Sequence, residues 1–449
     1  MENDVNEIHG NLFYRSPIKH YPMITKGEGI FLFDDKGNKF IDGSGGPFVV
    51  NIGHGVKEVN EAIYKQAEQV AYVHNAAFTT RVQEDLAAKV TSLAPSKMNR
   101  VFFVSGGSEA VESSIKLARQ YHFETGNAQK YKVISLWQGF HGSTLGALSL
   151  TREIKRRKYF YPLLIPFPHI PSPYCYRCYY GKTYPECGVI CAHVLESIIQ
   201  NEGEQTVSAF IAEPIMGVAG GAITPPPEYF PIIREICDTY NVLMIADEIV
   251  TGFGRTGKPF GIMHWDVTPD IMTCAKGICS GYVPLGAVIA HERVHSAIKN
   301  GTGTFSHGFT FSGSPVSCAA GLAVLNYLEA NNLISRAKEM GDYLKEQLNE
   351  MRDCRIVGDV RGKGLMIGLE LVRDKSTKEP FDASVKLSDK IGARAQENGL
   401  IVRPISGLVD GTVGDCIMVG PPFIVEKEEI DLICAKLTEA IAGVEKEVV

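Results

Sequence analysis

The amino-acid sequence predicts an α/β fold in which helices cover a largely parallel sheet. With 449 residues, 45% of them hydrophobic and 21% charged, the chain is long and apolar enough for a large folded core. Short, β-branched apolar segments recur along its first three quarters without polar alternation, which is typical of strands buried on both faces. Helix-length stretches separate several of them. This alternation indicates parallel strands joined by helices.

The first strand and helix of this pattern lie next to each other in the chain. Residues 100–104 form an apolar run, and residues 109–122 follow with apolar side chains on one helical face. Other apolar runs of strand length have the same character. These further buried strands are predicted at 132–136, 208–212, 242–246, 271–275 and 287–290.

After about residue 325 the pattern changes to a long amphipathic helix followed by isolated strands, which predicts a smaller α+β domain. Its elements are a helix at 333–351, strands at 364–371 and 400–403, and a closing helix from 426. Before the large domain, the first 60 residues contain a hairpin pattern at 29–42 and are expected to pack with the small domain or across a dimer interface. The predicted regions are therefore 1–60, 61–325 and 326–449.

Charge and hydropathy exclude several classes of partner. The 45 basic residues are outnumbered by 51 acidic ones, and no basic block is long enough to follow a nucleic-acid backbone. The first residues lack a basic start followed by an apolar run, and no apolar stretch reaches 18 residues. We therefore expect a cytoplasmic protein without a nucleic-acid or membrane partner.

Eleven cysteines, an odd number in a long chain, favour reduced thiols in a cytoplasm over a secreted disulfide framework. Four of them have the spacing C-x2-C-x8-C-x3-C. These are Cys175, Cys178, Cys187 and Cys191. Such a loop can wrap a structural zinc ion, although the x8 interval is unusual for zinc sites. The alternative is a set of free thiols in a tyrosine-rich insertion, and neither reading involves a catalytic metal.

A glycine-rich turn connects the first predicted strand to its helix. Gly107 and Ser108 lie in this turn, within the segment 105–110. Glycines let the backbone approach an anion, and free amides at a helix N-terminus favour a phosphate. The segment is thus a candidate phosphate site, with a tight turn and helix cap as the alternative.

Chemically reactive side chains follow three other predicted strands. Asp247 stands at the end of one strand, where a carboxylate can keep a heterocyclic nitrogen protonated or, alternatively, cap a helix or bind a metal. Lys276 ends another strand among small residues, where burial lowers the pKa of an amine enough to make it nucleophilic unless an ion pair holds it. Phe140 and His141 follow a third strand and suit stacking on a flat ring or simple packing. Together these strand ends predict one cofactor site.

These motifs, in this order, resemble the class III (omega) aminotransferases, which are pyridoxal-phosphate enzymes of fold type I. The similarity extends from about residue 29 to 422. It implies pyridoxal 5'-phosphate as cofactor and a mostly parallel seven-stranded sheet in the large domain. The motifs that carry it are 105–110, 140–142, Glu213-Pro214, Asp247-Glu248, 252–257, 275–277 and Thr310 before Ser314-Pro315.

The resemblance assigns a role to each motif residue. Lys276 would carry the cofactor covalently and move the substrate proton, while Asp247 would bind the ring nitrogen. Other residues would enclose the ring and the phosphate: Phe140 and Ile249 on the two ring faces, His141 beside Phe140, and Gly107 and Ser108 at the phosphate. Thr310 would complete the phosphate site of the partner subunit, which implies a homodimer with shared active sites and leaves open whether two dimers pair into a tetramer.

The resemblance also suggests the substrates. Glu213 matches a glutamate that pairs with a mobile arginine when no carboxylate is bound, and Arg403 matches that arginine, unless it is a structural strand-end residue. The small residues of 44–48 suggest an open site. The expected reaction is a ping-pong transfer from a β- or ω-amino donor (a β-amino acid, taurine, an amine or a β-aminoacyl thioester) to pyruvate or 2-oxoglutarate.

Alternative interpretations remain at this stage. The basic segment 152–158 could meet the phosphates of a coenzyme A donor or form a solvated helix face. The same fold and lysine also support lyase or racemase chemistry, because the protein selects which substrate bond is broken. A non-catalytic binding protein would be expected to lack Lys276 or Asp247, and both are present.

Overall fold

The computed structural model describes residues 11–19 and 21–448. In chain order the strands are β1 (Ile24–Glu28), β2 (Phe31–Asp34), β3 (Lys39–Asp42), β4 (Met98–Val104), β5 (Lys132–Leu136), β6 (His169–Ile170), β7 (Val207–Ala212), β8 (Leu243–Asp247), β9 (Ile271–Cys274), β10 (Gly286–His291), β11 (Val357–Gly362), β12 (Ile367–Leu371), β13 (Leu400–Ile401), β14 (Arg403–Ser406) and β15 (Asp415–Val419).

The helices, several of them amphipathic, cover these sheets. They are α1 (Gly45–Phe48), α2 (Lys57–Gln69), α3 (Arg81–Leu93), α4 (Gly107–Glu124), α5 (Leu145–Leu150), α6 (Ile154–Arg157), α7 (Ile190–Glu202), α8 (Tyr229–Thr239), α9 (Glu292–Asn300), α10 (Pro315–Ala330), α11 (Leu333–Glu350), α12 (Leu387–Glu397) and α13 (Lys427–Val448). In the described ranges, no helix has both the length and the apolar character needed to span a bilayer.

A seven-stranded sheet in the order β4-β10-β9-β8-β7-β5-β6 forms the centre of the molecule. Only β10 runs antiparallel to its neighbours, so the prediction of an α/β fold with a mostly parallel sheet is confirmed. Because the other strands share one direction, β4, β5, β7, β8 and β9 all end at the same edge. In open sheets of this kind, that edge is where ligands bind.

The sheet is buried on both faces because its strands are apolar at successive positions. In β7 every residue is buried; Ala209 and Ile211 pack into one hydrophobic cluster, and Phe210 and Ala212 pack into the other. Alternating side chains of a strand point to opposite faces, so a continuous apolar run serves both cores. The apolar runs therefore located six of the seven strands of this sheet, and the two-residue strand β6 was missed.

Two four-stranded sheets complete the fold. The order of one is β1-β2-β3-β13, and that of the other, which is wholly antiparallel, is β11-β12-β15-β14. The hairpin expected at 29–42 is confirmed by the antiparallel pairing of β2 with β3. Leu400 of β13 pairs in parallel with Ile41 of β3, which connects the N-terminal strands to the last part of the chain. The division into three domains remains a prediction.

The prediction of one strand at 400–403 is wrong in one respect. The chain leaves the first small sheet after Ile401 and enters the other at Arg403, so two short strands replace one. Four further strands, β1, β6, β11 and β15, were not predicted from the sequence. Strand β11 is only partly buried and carries Asp359 and Arg361, so it lacks the apolar run that marks a strand. Strand β15 lies in the segment expected to form a long loop after Arg403.

A buried arginine joins the large sheet's loops to the rest of the molecule. The Arg255 guanidinium donates hydrogen bonds to four backbone carbonyls, those of Val50, Leu365, Gly420 and Pro421. Burial lowers the pKa of Arg255 to about 9, although the negative charge of Asp42 acts in the opposite direction. The rigid fork of donors fits this set of acceptors, which fixes the glycine-rich segment after β8 beside the site described below.

Candidate active site

Lys276 lies at the carboxyl edge of the seven-stranded sheet, immediately after β9. Its backbone φ is +46°, a left-handed value that is rare for residues other than glycine and common at functional sites. The amide of Asn51 donates to the Gly277 carbonyl at 2.9 Å, and a Cβ on Gly277 would lie 3.1 Å from the same side chain. The N-terminal segment thus fixes the turn that presents Lys276.

The Lys276 amine is in an environment that favours its neutral form. Burial lowers the pKa of Lys276 to about 8, although the negative charges of Glu213 and Asp247 act in the opposite direction. About a tenth of the molecules therefore carry Lys276 as the neutral amine at pH 7, far more than for a solvent-exposed lysine. A neutral amine can attack a carbonyl, which is the property that covalent catalysis by lysine needs.

Asp247 ends β8 and forms a buried pair with His141. The Nδ1 atom of His141 lies 2.6 Å from the Oδ2 atom of Asp247, and the Ile249 amide donates to Oδ1 at 3.1 Å. The imidazole therefore donates from Nδ1 and fixes the carboxylate. Its other nitrogen, Nε2, is buried without a hydrogen-bond partner among the described residues. The arrangement holds the carboxylate rigidly at the sheet edge.

Glu213 provides a second buried carboxylate, directly after β7. It accepts from the amide of Phe140 at 3.0 Å and from that of Gly217 at 2.9 Å. Burial first, and the nearby charge of Asp247 second, raise the pKa of Glu213 to about 7. Within the described part of the chain Glu213 forms no ion pair with Arg403, so the resting pair implied by the resemblance is absent from this conformation.

The two motifs predicted to hold a phosphate and a flat ring interlock. The Ser143 amide donates to the Ser108 hydroxyl oxygen at 3.0 Å, at the N-terminus of the 18-residue helix α4. A Cβ on Gly142 would lie 2.6 Å from that oxygen, and one on Gly107 would lie 2.9 Å from the Ile249 side chain. A side chain at Gly142, where φ is +140°, would be strained, and one at Gly107 would require the Ile249 side chain to move. The free amides of α4 favour an anion there.

Arg156 stacks on the Phe140 ring, a contact that the sequence does not predict. The guanidinium of Arg156 lies 4.7 Å from the centre of the Phe140 ring and forms an ion pair with Glu153. From the sequence, Arg156 was only one cation in the basic segment 152–158. Nothing in the spacing distinguishes it from its neighbours, because the contact depends on where helix α6 packs.

Arg403 begins β14 on the outer side of the site. Burial lowers the pKa of its guanidinium, and the positive charges of Arg156 and Arg15 lower it further. Its Nε atom is buried and has no hydrogen-bond partner in residues 11–19 and 21–448. A partly buried guanidinium of this kind is available to a carboxylate ligand.

Thr310 is the one predicted cofactor residue that lies apart from the others. It is exposed in the loop between α9 and α10, and its side chain makes no hydrogen bond to the described residues of its own chain. The neighbouring Phe311 is also exposed, at 64% of its surface. The role of Thr310 in a partner's site remains a prediction.

The four clustered cysteines are free thiols that line one small cavity. Burial and the neighbouring thiols raise the pKa of Cys191 to about 12, so this group is protonated. In the described ranges, no three His, Cys, Asp or Glu side chains are arranged to hold a metal ion. The zinc alternative for Cys175, Cys178, Cys187 and Cys191 stays a prediction.

The assembled residues fit a flat heterocyclic phosphate that carries an aldehyde. Lys276 provides a neutral amine, and the pair of Asp247 and His141 provides a fixed carboxylate for a ring nitrogen. Phe140 provides an aromatic face, and the N-terminus of α4 provides amides for a phosphate. Pyridoxal 5'-phosphate has all four of these groups.

Comparison with known proteins gives a consistent result. A family model described as aminotransferase class-III matches residues 15–441. The chain is 40% identical to the diaminobutyrate–2-oxoglutarate transaminase of Halomonas elongata, over 93% of this chain and 90% of that protein. It is 39% identical to the putrescine–pyruvate aminotransferase of Pseudomonas aeruginosa, over 91% and 88% respectively.

Among solved structures, the omega transaminase of Pseudomonas jessenii in complex with PMP superimposes with a TM-score of 0.90. The two sequences are 34% identical, and the match covers 95% of this chain and 94% of that one. The similarity therefore includes both the large sheet and the smaller ones, and extends through every motif of the site.

Proposed function

The chain belongs to the class III aminotransferases, which use pyridoxal 5'-phosphate, and we propose that it moves an amino group from a β- or ω-amino donor to a 2-keto acid in a ping-pong reaction. One observation carries this proposal. Lys276, with its pKa lowered by burial to about 8, lies in the same buried site as Asp247, His141 and Glu213. That combination serves covalent attachment of a carbonyl cofactor and proton transfer beside it.

When bound, pyridoxal phosphate supplies an electron sink for the bond that is broken. Asp247 would keep a proton at the ring nitrogen, because its carboxylate is fixed by the His141 imidazole and by the Ile249 amide. Its orientation is set before any ligand binds. A preorganised charge of this kind stabilises a reacting group without reorganisation during the reaction.

Lys276 would also be the general base and acid. An amine whose pKa lies near 8 is protonated and unprotonated in comparable amounts at slightly alkaline pH. It can therefore accept a proton at Nζ from one carbon of the substrate and return it to another. Glu213, held by two backbone amides, places a negative charge near Lys276 that keeps the protonated form accessible.

The entrance of the site, defined as Glu153, Arg156 and Arg403, suits an amino donor that lacks an α-carboxylate and a keto-acid acceptor that has one. Arg403 is a partly buried cation that forms no ion pair within residues 11–19 and 21–448, which suits the carboxylate of a keto acid. Phe48 is buried in the core, so the segment 44–48 places no exposed aromatic ring at the site. Both features fit small amino donors of the β- and ω-amino classes.

We further propose a homodimer in the cytoplasm. Exposed Thr310 and Phe311 lie in one loop, as expected if that loop completes the phosphate site of a partner subunit. All eleven cysteines are free thiols, which fits a reducing compartment. Sedimentation analysis of wild type and Thr310→Ala, combined with cofactor content, tests the shared site. A monomer that retains full cofactor occupancy would contradict it.

The central experiment follows the absorbance of purified enzyme between 300 and 500 nm after cofactor is supplied. We expect a band that one donor among β-alanine, taurine and a simple amine removes, and that pyruvate or 2-oxoglutarate restores. Lys276→Ala should abolish the cycle, whereas Lys299→Ala, a change to an exposed lysine on α9, should leave it intact.

Two results would contradict the proposal. One is an absorbance cycle in Lys276→Ala that matches the parent. The other is ammonia release in proportion to donor without any keto acid, which would indicate a lyase.

A further inference from the structure

The basic segment near the entrance contains five cations, and only one of them contacts the ring predicted to lie on the cofactor. Arg152 donates to the Tyr161 hydroxyl at 2.9 Å, and Lys155 donates to the Ser406 hydroxyl at 2.7 Å. The Arg157 guanidinium packs on the Tyr161 ring. Arg156 instead stacks on Phe140, at 4.7 Å from the ring centre. The segment therefore directs a single guanidinium into the site.

Arg156 lies on a helix that contacts the strand of Arg403, because the neighbouring Lys155 donates to Ser406, and β14 runs from Arg403 to Ser406. The charge of Arg156 is the largest electrostatic influence on Arg403 after burial, and it lowers the pKa of that group. Glu153, which pairs with Arg156, is the carboxylate that acts on Arg403 from this side. The partly buried cations Arg156 and Arg403, with the exposed Arg15 nearby, therefore outnumber the one acid, Glu153. Charge in a partly buried space is poorly screened by water, so an added anion is attracted strongly.

We propose that Arg156 and Arg403 together bind the two carboxylates of a dicarboxylic 2-keto acid, which makes 2-oxoglutarate the preferred acceptor over pyruvate. This inference rests on the proposed function and names its acceptor. Arg403 binds the carboxylate next to the keto group, and Arg156 binds the distal one. The planar guanidinium fork suits each carboxylate, since both of its oxygens can accept in parallel.

In the free enzyme, the Glu153 carboxylate occupies the position on Arg156 that the distal carboxylate of the substrate would take. About a fifth of each side chain of the Glu153–Arg156 pair is exposed, 20% and 21% respectively, so a diacid can reach the pair from solvent. A diacid must displace Glu153 from Arg156, whereas pyruvate uses Arg403 and leaves the pair intact. The acid thus keeps Arg156 oriented in the free enzyme and competes with the substrate.

The test compares kcat/KM for 2-oxoglutarate and for pyruvate in the holoenzyme. Arg156→Gln should lower the value for 2-oxoglutarate about 10- to 100-fold, as expected for loss of a charge-assisted hydrogen-bond pair, and that for pyruvate by no more than about threefold. Glu153→Gln should instead raise kcat/KM for 2-oxoglutarate by lowering its KM, because this variant lacks the carboxylate that competes with the substrate for Arg156. Lys158→Gln removes the same charge from an exposed position next to α6 and should change neither value.

Calorimetric binding of non-reacting acids provides a readout independent of turnover. Glutarate should bind wild type at least about tenfold more tightly than propionate, and Arg156→Gln should remove that difference while Arg156→Lys restores part of it. Two results would overturn the inference. One is an equal fall in kcat/KM for 2-oxoglutarate and pyruvate in Arg156→Gln, and the other is equal affinity of wild type for glutarate and propionate. Failure of the proposed function would look different, because neither acceptor would restore the absorbance band in any variant.

Discussion

The inner and outer halves of the site differ in how their charges are satisfied. The inner wall is defined as His141, Glu213, Asp247 and Lys276. Its carboxylates are held by protein groups: Asp247 accepts from the His141 imidazole and a backbone amide, and Glu213 accepts from two backbone amides. The entrance, defined as Glu153, Arg156 and Arg403, has two cations and one acid. The two carboxylates of the inner wall have protein partners without a substrate, whereas Nε of Arg403 at the entrance has none among the described residues.

This difference separates chemistry from selection. Groups that handle protons must be in place before the reaction, and fixed dipoles give them that position at no cost during catalysis. Groups that select a substrate gain most when the substrate supplies a missing partner, because its absence leaves buried polar atoms unsatisfied. The exposed fraction of the Glu153–Arg156 pair is consistent with such an exchange.

The largest expected effect comes from the inner wall. Asp247→Asn keeps the shape of the side chain but removes the charge that holds a proton at the ring nitrogen, so we expect kcat to fall about 100- to 10,000-fold. Steady-state rates with the preferred donor measure this. Asp266→Asn, at an exposed helix end, should leave the rate unchanged. A loss below about tenfold in Asp247→Asn would show that the carboxylate is not essential to the chemistry.

A smaller and different effect is expected at the entrance. Arg403→Gln should raise KM for the keto acid about 10- to 100-fold and leave reaction of an uncharged amine donor nearly unchanged, since only the acceptor needs the guanidinium. Separate half-reactions, followed by absorbance, measure the two steps. Arg373→Gln, which breaks an exposed ion pair with Glu379, serves as the matched control. Equal loss in both half-reactions would remove the distinction between inner wall and entrance.

The pH dependence of cofactor attachment should sharpen the comparison further. Because burial lowers the pKa of Lys276 to about 8, the rate of pyridoxal phosphate incorporation into apoenzyme should rise about tenfold per unit as pH increases toward 8 and level off above it. The charge of Glu213 raises the pKa of Lys276, so Glu213→Gln should move the midpoint to lower pH. A midpoint near 10 in wild type would mean that the amine is not desolvated.

The same division explains what the sequence could predict. Strand positions and the glycine-rich turn follow from local patterns, and the order of motifs indicated the family before any contact was known. The pairing of His141 with Asp247, and the amide bonds of Glu213, join residues far apart in the chain and depend on how loops meet at the sheet edge. The contact between Arg156 and Phe140 left no signal in the sequence, because a basic segment looks alike at every position.

The change from one sheet to another at Val402 could not be predicted from the sequence either. Strand propensity indicates an extended segment at 400–403 but not which sheet it joins, and the two halves pair with different partners. Arg403 faces the entrance because β14 belongs to the antiparallel sheet. Tertiary pairing, rather than local preference, therefore decides the position of the residue predicted to bind the acceptor.

Borohydride reduction of the holoenzyme, followed by peptide mass spectrometry, tests the central claim most directly, since it fixes the cofactor on whichever lysine carries it. The account predicts one modified peptide, with the added mass on Lys276, and none in Lys276→Ala. A cofactor mass on another lysine, or no modified peptide after cofactor is supplied, would contradict the assignment of the inner wall.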